Sequence, residues 1–109
     1  MEHGDALKED SIFVEVLGGS PIIRVLDFLI TFQRFDYPLT EIAKNSRISY
    51  STLQTLWHKL IKHNIVVKTR RVGKSDMFKL NTDNSAVKEL MKLDWKLTIN
   101  SNKEIIIEN

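Results

Sequence analysis

Apolar and polar positions alternate along the chain with periods that change from segment to segment. Ile12, Phe13, Val14, Val16 and Leu17 form a short apolar run ending at Gly18-Gly19, and a run this short fits a helix or a strand equally well. Ser20-Pro21 is a helix start, a capping residue followed by proline where its missing N–H costs nothing. At about 100° per residue, Ile22, Ile23, Val25, Leu26, Leu29 and Ile30 share one arc, with Arg24, Asp27, Thr31 and Arg34 opposite. This helix is expected to end near Phe35, before Asp36-Tyr37-Pro38. Thr40 is the expected cap of a short helix, Glu41–Ser46, with Ile42 and Ala43 facing inward. Arg47-Ile48-Ser49 is a tight connection, and Ser49 caps a longer helix, Tyr50–His63, closed by Asn64 in a left-handed conformation.

The period then drops to two. Ile65 to Val72 is extended, Gly73-Lys74-Ser75-Asp76 supplies the turn, and Met77–Leu80 returns as the partner strand. A last helix is expected from about Ser85 to Leu97. The tail Asn100–Asn109, with Ile105-Ile106-Ile107, either adds a strand or stays loose. The fold class is therefore α+β and mostly helical, in the order helix, short helix, tight turn, helix, hairpin, helix. That is the pattern of a winged helix-turn-helix domain. It divides the chain into an N-terminal extension (1–16), a winged helix-turn-helix domain (17–82), and a C-terminal helix and tail (83–109) suited to dimerisation.

Composition removes several function classes. At 109 residues there is room for one domain. No apolar stretch approaches the ~20 residues of a membrane span, so no membrane partner is expected. The acidic start MEHGDALKED is unlike a signal peptide, and a cytoplasmic location is expected. Without cysteine there are no disulfides, zinc fingers, iron–sulfur clusters or thiol chemistry. His3, His58 and His63 lack metal-ligand spacing. No phosphate-cradling glycine motif or nucleophile elbow is present, so neither an enzyme nor a cofactor is expected.

Charge sharpens the picture. The formal net charge is only +2, yet residues 37–82 hold nine bases against two acids, while residues 1–36 hold three against seven. An acid-poor block inside a near-neutral chain is the footprint expected of a nucleic-acid surface, although charge runs also form ordinary solvated faces.

The candidate site follows from the third helix. Gln54, Thr55, His58 and Lys62 fall within about 60° of Ser51, opposite Leu53, Leu56, Trp57 and Leu60. Ser51, Gln54, Thr55 and His58 are the expected base readers: glutamine can bond adenine at two points, and hydroxyls suit several bases. Tyr50, Lys59 and Lys62 lie beside them. In the hairpin, Arg70, Arg71, Lys74 and Ser75 are expected on the DNA backbone or in the minor groove, where cations displace counterions. Two plainer readings stand beside these: a solvated helix face, and an edge hairpin kept soluble by its lysines.

The stretch Leu17-Gly18-Gly19-Ser20-Pro21-Ile22-Ile23-Arg24-Val25-Leu26-Asp27-Phe28-Leu29, followed by Leu39-Thr40-Glu41-Ile42-Ala43, Ile48-Ser49-Tyr50-Ser51-Thr52-Leu53 and Asn64-Ile65-Val66, resembles small prokaryotic, especially archaeal, winged helix-turn-helix transcriptional regulators. The resemblance covers about residues 17–97. It implies sequence-specific binding of double-stranded DNA by a homodimer. Asn64 stands where such regulators usually have glycine, and an appended sensor domain is not expected. Leu90, Leu93, Trp95 and Leu97 either complete the protomer core or meet a second copy. Three other roles are a protein-interaction module within a larger assembly, a repressor with a ligand pocket at the dimer seam, and an RNA binder. The last is disfavoured because no strand offers rings for stacking.

Overall fold

The computed structural model describes residues 10–108. Apart from Asp10, the acidic N-terminal stretch lies outside them, as does His3. Among the described residues, five helices and one antiparallel hairpin follow in order: α1 (Ile12–Leu17), α2 (Pro21–Thr31), α3 (Leu39–Ser46), α4 (Tyr50–Lys62), β1 (Val66–Val72), β2 (Ser75–Leu80) and α5 (Ser85–Glu108). The short apolar run that fitted either conformation is the helix α1. The Ser11 hydroxyl caps it by accepting from the Val14 amide, and Phe13 and Val14 are buried.

Helix α2 begins with Pro21 in its first turn, as its sequence dictates, but ends at Thr31 rather than near Phe35. The Phe32 amide still bonds the Phe28 carbonyl, and the chain then turns through residues 32–36. Continuing the helix would carry Tyr37 away from its observed place. There the Tyr37 ring lies 5.0 Å from that of Phe28, and its backbone exchanges two hydrogen bonds with Phe78 (2.8 and 2.9 Å). Tyr37 thus adds a one-residue third strand beside β2. Helix α3 starts two residues earlier than expected: Pro38 is its N-cap and Thr40 lies inside it.

Two left-handed residues turn the chain sharply on either side of α4. Arg47 has φ 59°, and Asn64 has φ 57°. In each case the residue's own amide and the next one close the helix by reaching back, Arg47 to Lys44 and Ile48 to Ala43, then Asn64 to Ile61 and Ile65 to Leu60. These bond pairs are Schellman closures, which satisfy carbonyls that a helix end otherwise leaves bare. Asn64 was legible in the sequence because asparagine tolerates this conformation; Arg47 was not.

The core collects Phe13, Val25, Leu29, Ile42, Leu53, Leu80 and Val87, all at most 2% exposed. It therefore draws on α1 to α5 and on the hairpin alike, and each such fully buried aliphatic or aromatic side chain contributes about 1.5–3 kcal/mol. Three asparagines fasten the start of α5 to the end of α4. The Asn81 and Asn84 side-chain amides both donate to the Asn64 carbonyl (2.9 Å each), and Asn84 Oδ1 accepts from the Ala86 and Val87 amides. Helix α5 does not stop at Leu97 but continues to Glu108, so the tail adds no strand.

Candidate nucleic-acid interface

Helix α4 is built so that one side is committed to the core and the other is free. The Ser49 hydroxyl accepts from the Thr52 amide at 3.1 Å and donates to Thr52 Oγ1 at 2.8 Å, fixing the first turn. Leu53, Trp57 and Leu60 are buried, with Leu56 half-buried. Tyr50, Ser51, Gln54, Thr55, His58, Lys59 and Lys62 are all exposed. The helix carries no acid from Tyr50 to Lys62, and its last turn is basic through Lys59 and Lys62.

The hydroxyls on this face are partly engaged. Thr55 Oγ1 donates to the Ser51 carbonyl at 3.0 Å, which engages its proton while its oxygen can still accept. Ser51 Oγ lies 3.3 Å from Ser49 Oγ. Gln54 and His58 make no hydrogen bond among the described residues, so the amide and both ring nitrogens are available to a ligand.

The hairpin stands against the Trp57 side of the same helix. Trp57 meets Phe78 of β2 edge to face, with centroids 5.3 Å apart and planes at 79°. Val66 and Leu80 at the base of the hairpin are buried in the same cluster. Ile61 and Gln54 lie on one side of Trp57, about 40° and 60° round the helix from it, so the polar face begins next to the side where the hairpin packs.

The hairpin closes tightly. Val72 pairs with Ser75, leaving only Gly73 and Lys74 between the strands. Gly73 has φ +60°, the left-handed value that the first position of such a two-residue turn takes when it is glycine. Ser75 and Asp76, expected in the turn, are instead the first residues of β2. On the other strand Thr69 is an extra residue, because Lys68 faces Phe78 while Arg70 faces Met77. Such a bulge bends the strand and re-aims the side chains after it.

The bulge has an electrostatic result that sequence reasoning missed. Thr69 Oγ1 and the Arg70 guanidinium both donate to Asp36, in the turn between α2 and α3, with Arg70 Nε at 2.9 Å from Oδ2 and Nη2 at 3.1 Å from Oδ1. The Arg70 hydrogen bond, helped by Thr69, holds the Asp36 carboxyl down at about 2. The same pairing pushes the Arg70 guanidinium further up. Asp36 and Arg70 lie 34 residues apart, so nothing local announces the pair. Asp76 stands between Lys68 (3.4 Å) and Arg71 (3.9 Å). Lys74, exposed at the tip, has no ion-pair partner among the described residues. The structure thus gathers Ser51, Gln54, Thr55 and His58 on one open face, and among the three cations expected on DNA it leaves Arg70 clamped, Arg71 loosely paired and Lys74 without an ion-pair partner among the described residues.

No protein-family model and no curated protein matches the chain. Solved structures do. MepR, a transcription regulator of the Staphylococcus aureus multidrug efflux pump MepA, aligns over 78% of this chain and 61% of its own, with a TM-score of 0.60 and 15% identity. AdcR, the adhesin competence repressor of Streptococcus pyogenes, aligns over 79% of this chain and 66% of its own, with a TM-score of 0.56 and 15% identity. Lactococcus lactis ZitR, solved in complex with DNA, aligns over 79% of this chain and 60% of its own, with a TM-score of 0.56 and 12% identity. The chain spans about 60% of the length of MepR and ZitR. At this identity the likeness is one of fold, and the fold is the winged helix-turn-helix of these transcription regulators.

Proposed function

We propose that this chain binds double-stranded DNA sequence-specifically as a transcription regulator, with α4 in the major groove and the β1–β2 wing on the backbone or in the minor groove. The observation that carries this reading is the exposed, acid-free face of α4, where Gln54 and His58 have no hydrogen-bond partner among the described residues and Lys59 and Lys62 lie alongside. Ser51, Gln54, Thr55 and His58 read base edges, and Tyr50, Lys59 and Lys62 hold phosphates around them. In the wing, Lys74 and Arg71 meet the backbone with Ser75 beside them, while Arg70 must first leave Asp36. The fold shared with a regulator solved on DNA supports the same reading.

We infer a homodimer as the working form, because one domain reads too few base pairs to be selective and two-fold pairing doubles the contacts. Trp95 (64% exposed) and Leu93 (41%) on α5 are apolar side chains that the protomer leaves uncovered, and they suit a second copy. Selection of bound sites from random duplexes is the test. A preferred, two-fold repeated site bound at least 100-fold more tightly than scrambled duplex is expected. Equal binding of all sequences, lost at moderate salt, would instead identify a general polyanion surface.

A further inference from the structure

Away from the α4 face, a cleft of about 430 Å³ opens between α1, α2 and the end of α3, a size common for small-molecule sites. Val14, Phe28 and Phe32 give it an apolar wall. At its polar end one oxygen of Asp10 faces two guanidiniums at once, Arg47 Nη2 at 3.3 Å and Arg24 Nη1 at 3.8 Å. This is a carboxylate site already assembled and filled from within the chain. Asp27 also lines the cleft, its Oδ1 accepting from the Ser11 hydroxyl at 2.8 Å. Ser46 lines it too; that residue is 3% exposed, and its hydroxyl has no hydrogen-bond partner among the described residues.

Charge decides what the cleft accepts. Two guanidiniums and two carboxylates balance. If Asp10 moves out, the two arginines against Asp27 leave a single positive charge, which suits a monoanion. A dianion would meet the Asp27 carboxylate, and an ammonium would meet both arginines. Geometry also links the cleft to α4. Arg47 is the left-handed residue that closes α3, two positions before the Ser49 cap of α4.

We propose that this cleft binds a small amphipathic monocarboxylate, which takes the place of the Asp10 carboxylate between Arg24 and Arg47 and lays its apolar body along Val14, Phe28 and Phe32. Asp10, adjoining the Ser11 cap, is then a tethered competitor. Because Arg47 sits in the turn that sets the start of α4, occupancy alters how α4 presents its outer face. The ligand site stands independently of DNA binding; only this coupling rests on the proposed function.

The test titrates octanoate, acetate and octylammonium into the full chain and follows the amide signals of Phe28, Ser46 and Arg47 by NMR. Octanoate should saturate them, with acetate at least about tenfold weaker because it lacks the apolar body. Asp10→Asn should tighten octanoate binding about threefold, the scale of an exposed ion pair. Arg24→Gln and Arg47→Gln should each weaken it, and retained melting cooperativity will show that these variants still fold. Acetate matching octanoate, octylammonium saturating the same signals, or both arginine variants binding as well as the parent chain would overturn the site. Coupling is read on a selected duplex, where saturating octanoate should shift affinity at least threefold; an unmoved affinity overturns the coupling. A chain that takes octanoate but shows no preferred duplex overturns the DNA reading and leaves the cleft standing.

Discussion

Asp36 and Arg70 meet as a two-point pair, Nε on Oδ2 and Nη2 on Oδ1, joining the turn before α3 to the middle of the wing. The Asp36 side chain is only 15% exposed, whereas that of Arg70 is 63% exposed. The acid is therefore the fixed partner and the guanidinium the one that can leave. This relationship gives the wing two settings, one with Arg70 on Asp36 and one with Arg70 on a phosphate.

Replacing the acid should release the cation. Asp36→Asn keeps the shape of the side chain but ends the ion pair. Affinity for mixed-sequence duplex should rise, and the slope of log affinity against log salt should steepen by about 0.9, one extra phosphate contact. An unchanged slope would show that Arg70 does not reach DNA. The pair also predicts a pH effect. Because the folded carboxyl is held at about 2, below its usual 3.8, its contribution is complete above pH 4 and disappears as pH falls through 2. Urea unfolding from pH 5 to pH 2 should show the parent chain converging on Asp36→Asn at the acid end.

Asn64 gives a backbone prediction. Its φ of 57° favours glycine, and what it supplies to its neighbours is its carbonyl, which accepts from Asn81 and Asn84. Any residue keeps that carbonyl. Asn64→Gly should therefore leave the melting temperature unchanged or raise it slightly, whereas Asn64→Val, β-branched at a left-handed position, should cost about 1–2 kcal/mol. Equal melting of the two variants would show that the left-handed turn is not retained in solution.

These two sites show what was legible in the sequence and what was not. Ser20-Pro21, the Ser49 cap, the division of α4 into core and outer faces, and the left-handed Asn64 are encoded within a few residues, and short-range rules read them. The Thr69 bulge, the Tyr37 bridge to Phe78 and the Asp36–Arg70 pair join segments more than 30 residues apart or depend on strand register, for which composition holds no signal. The early end of α2 has the same origin, since tertiary placement of Tyr37 overrides a helical pattern that runs on to Phe35. Charge counting erred for this reason too: it placed Asp36 with the acidic N-terminal third, whereas the fold sets it against the wing.

A second carboxylate titrates in the opposite sense. Burial and then the nearby charge of Asp27 push the Asp94 carboxyl on α5 above its usual value. The folded state thus binds that proton more tightly than the unfolded state, and stability declines as pH rises from the ordinary carboxylate value through the raised one. Asp94→Asn removes the ionisation. It should raise the melting temperature at pH 7 and lose that advantage near pH 3, where the parent side chain is neutral as well. A gain of equal size at both pH values would trace the effect to packing instead of charge.

The distinction between reading and holding DNA can be tested with two exposed residues that have different chemistry. Gln54 lies on the open face of α4 and has a side chain able to bond a base edge at two points, so Gln54→Ala should cost about 1–3 kcal/mol on a selected site and relax preference at one base pair. Lys74, at the tip of the wing, meets only charge; Lys74→Ala should weaken selected and scrambled duplexes by the same factor and flatten the salt slope by about 0.9. Anisotropy titrations on both duplexes at several salt concentrations separate the two outcomes. If Gln54→Ala instead lowers affinity for both duplexes equally, α4 is not the reading element, and the free polar face must serve a partner other than the major groove.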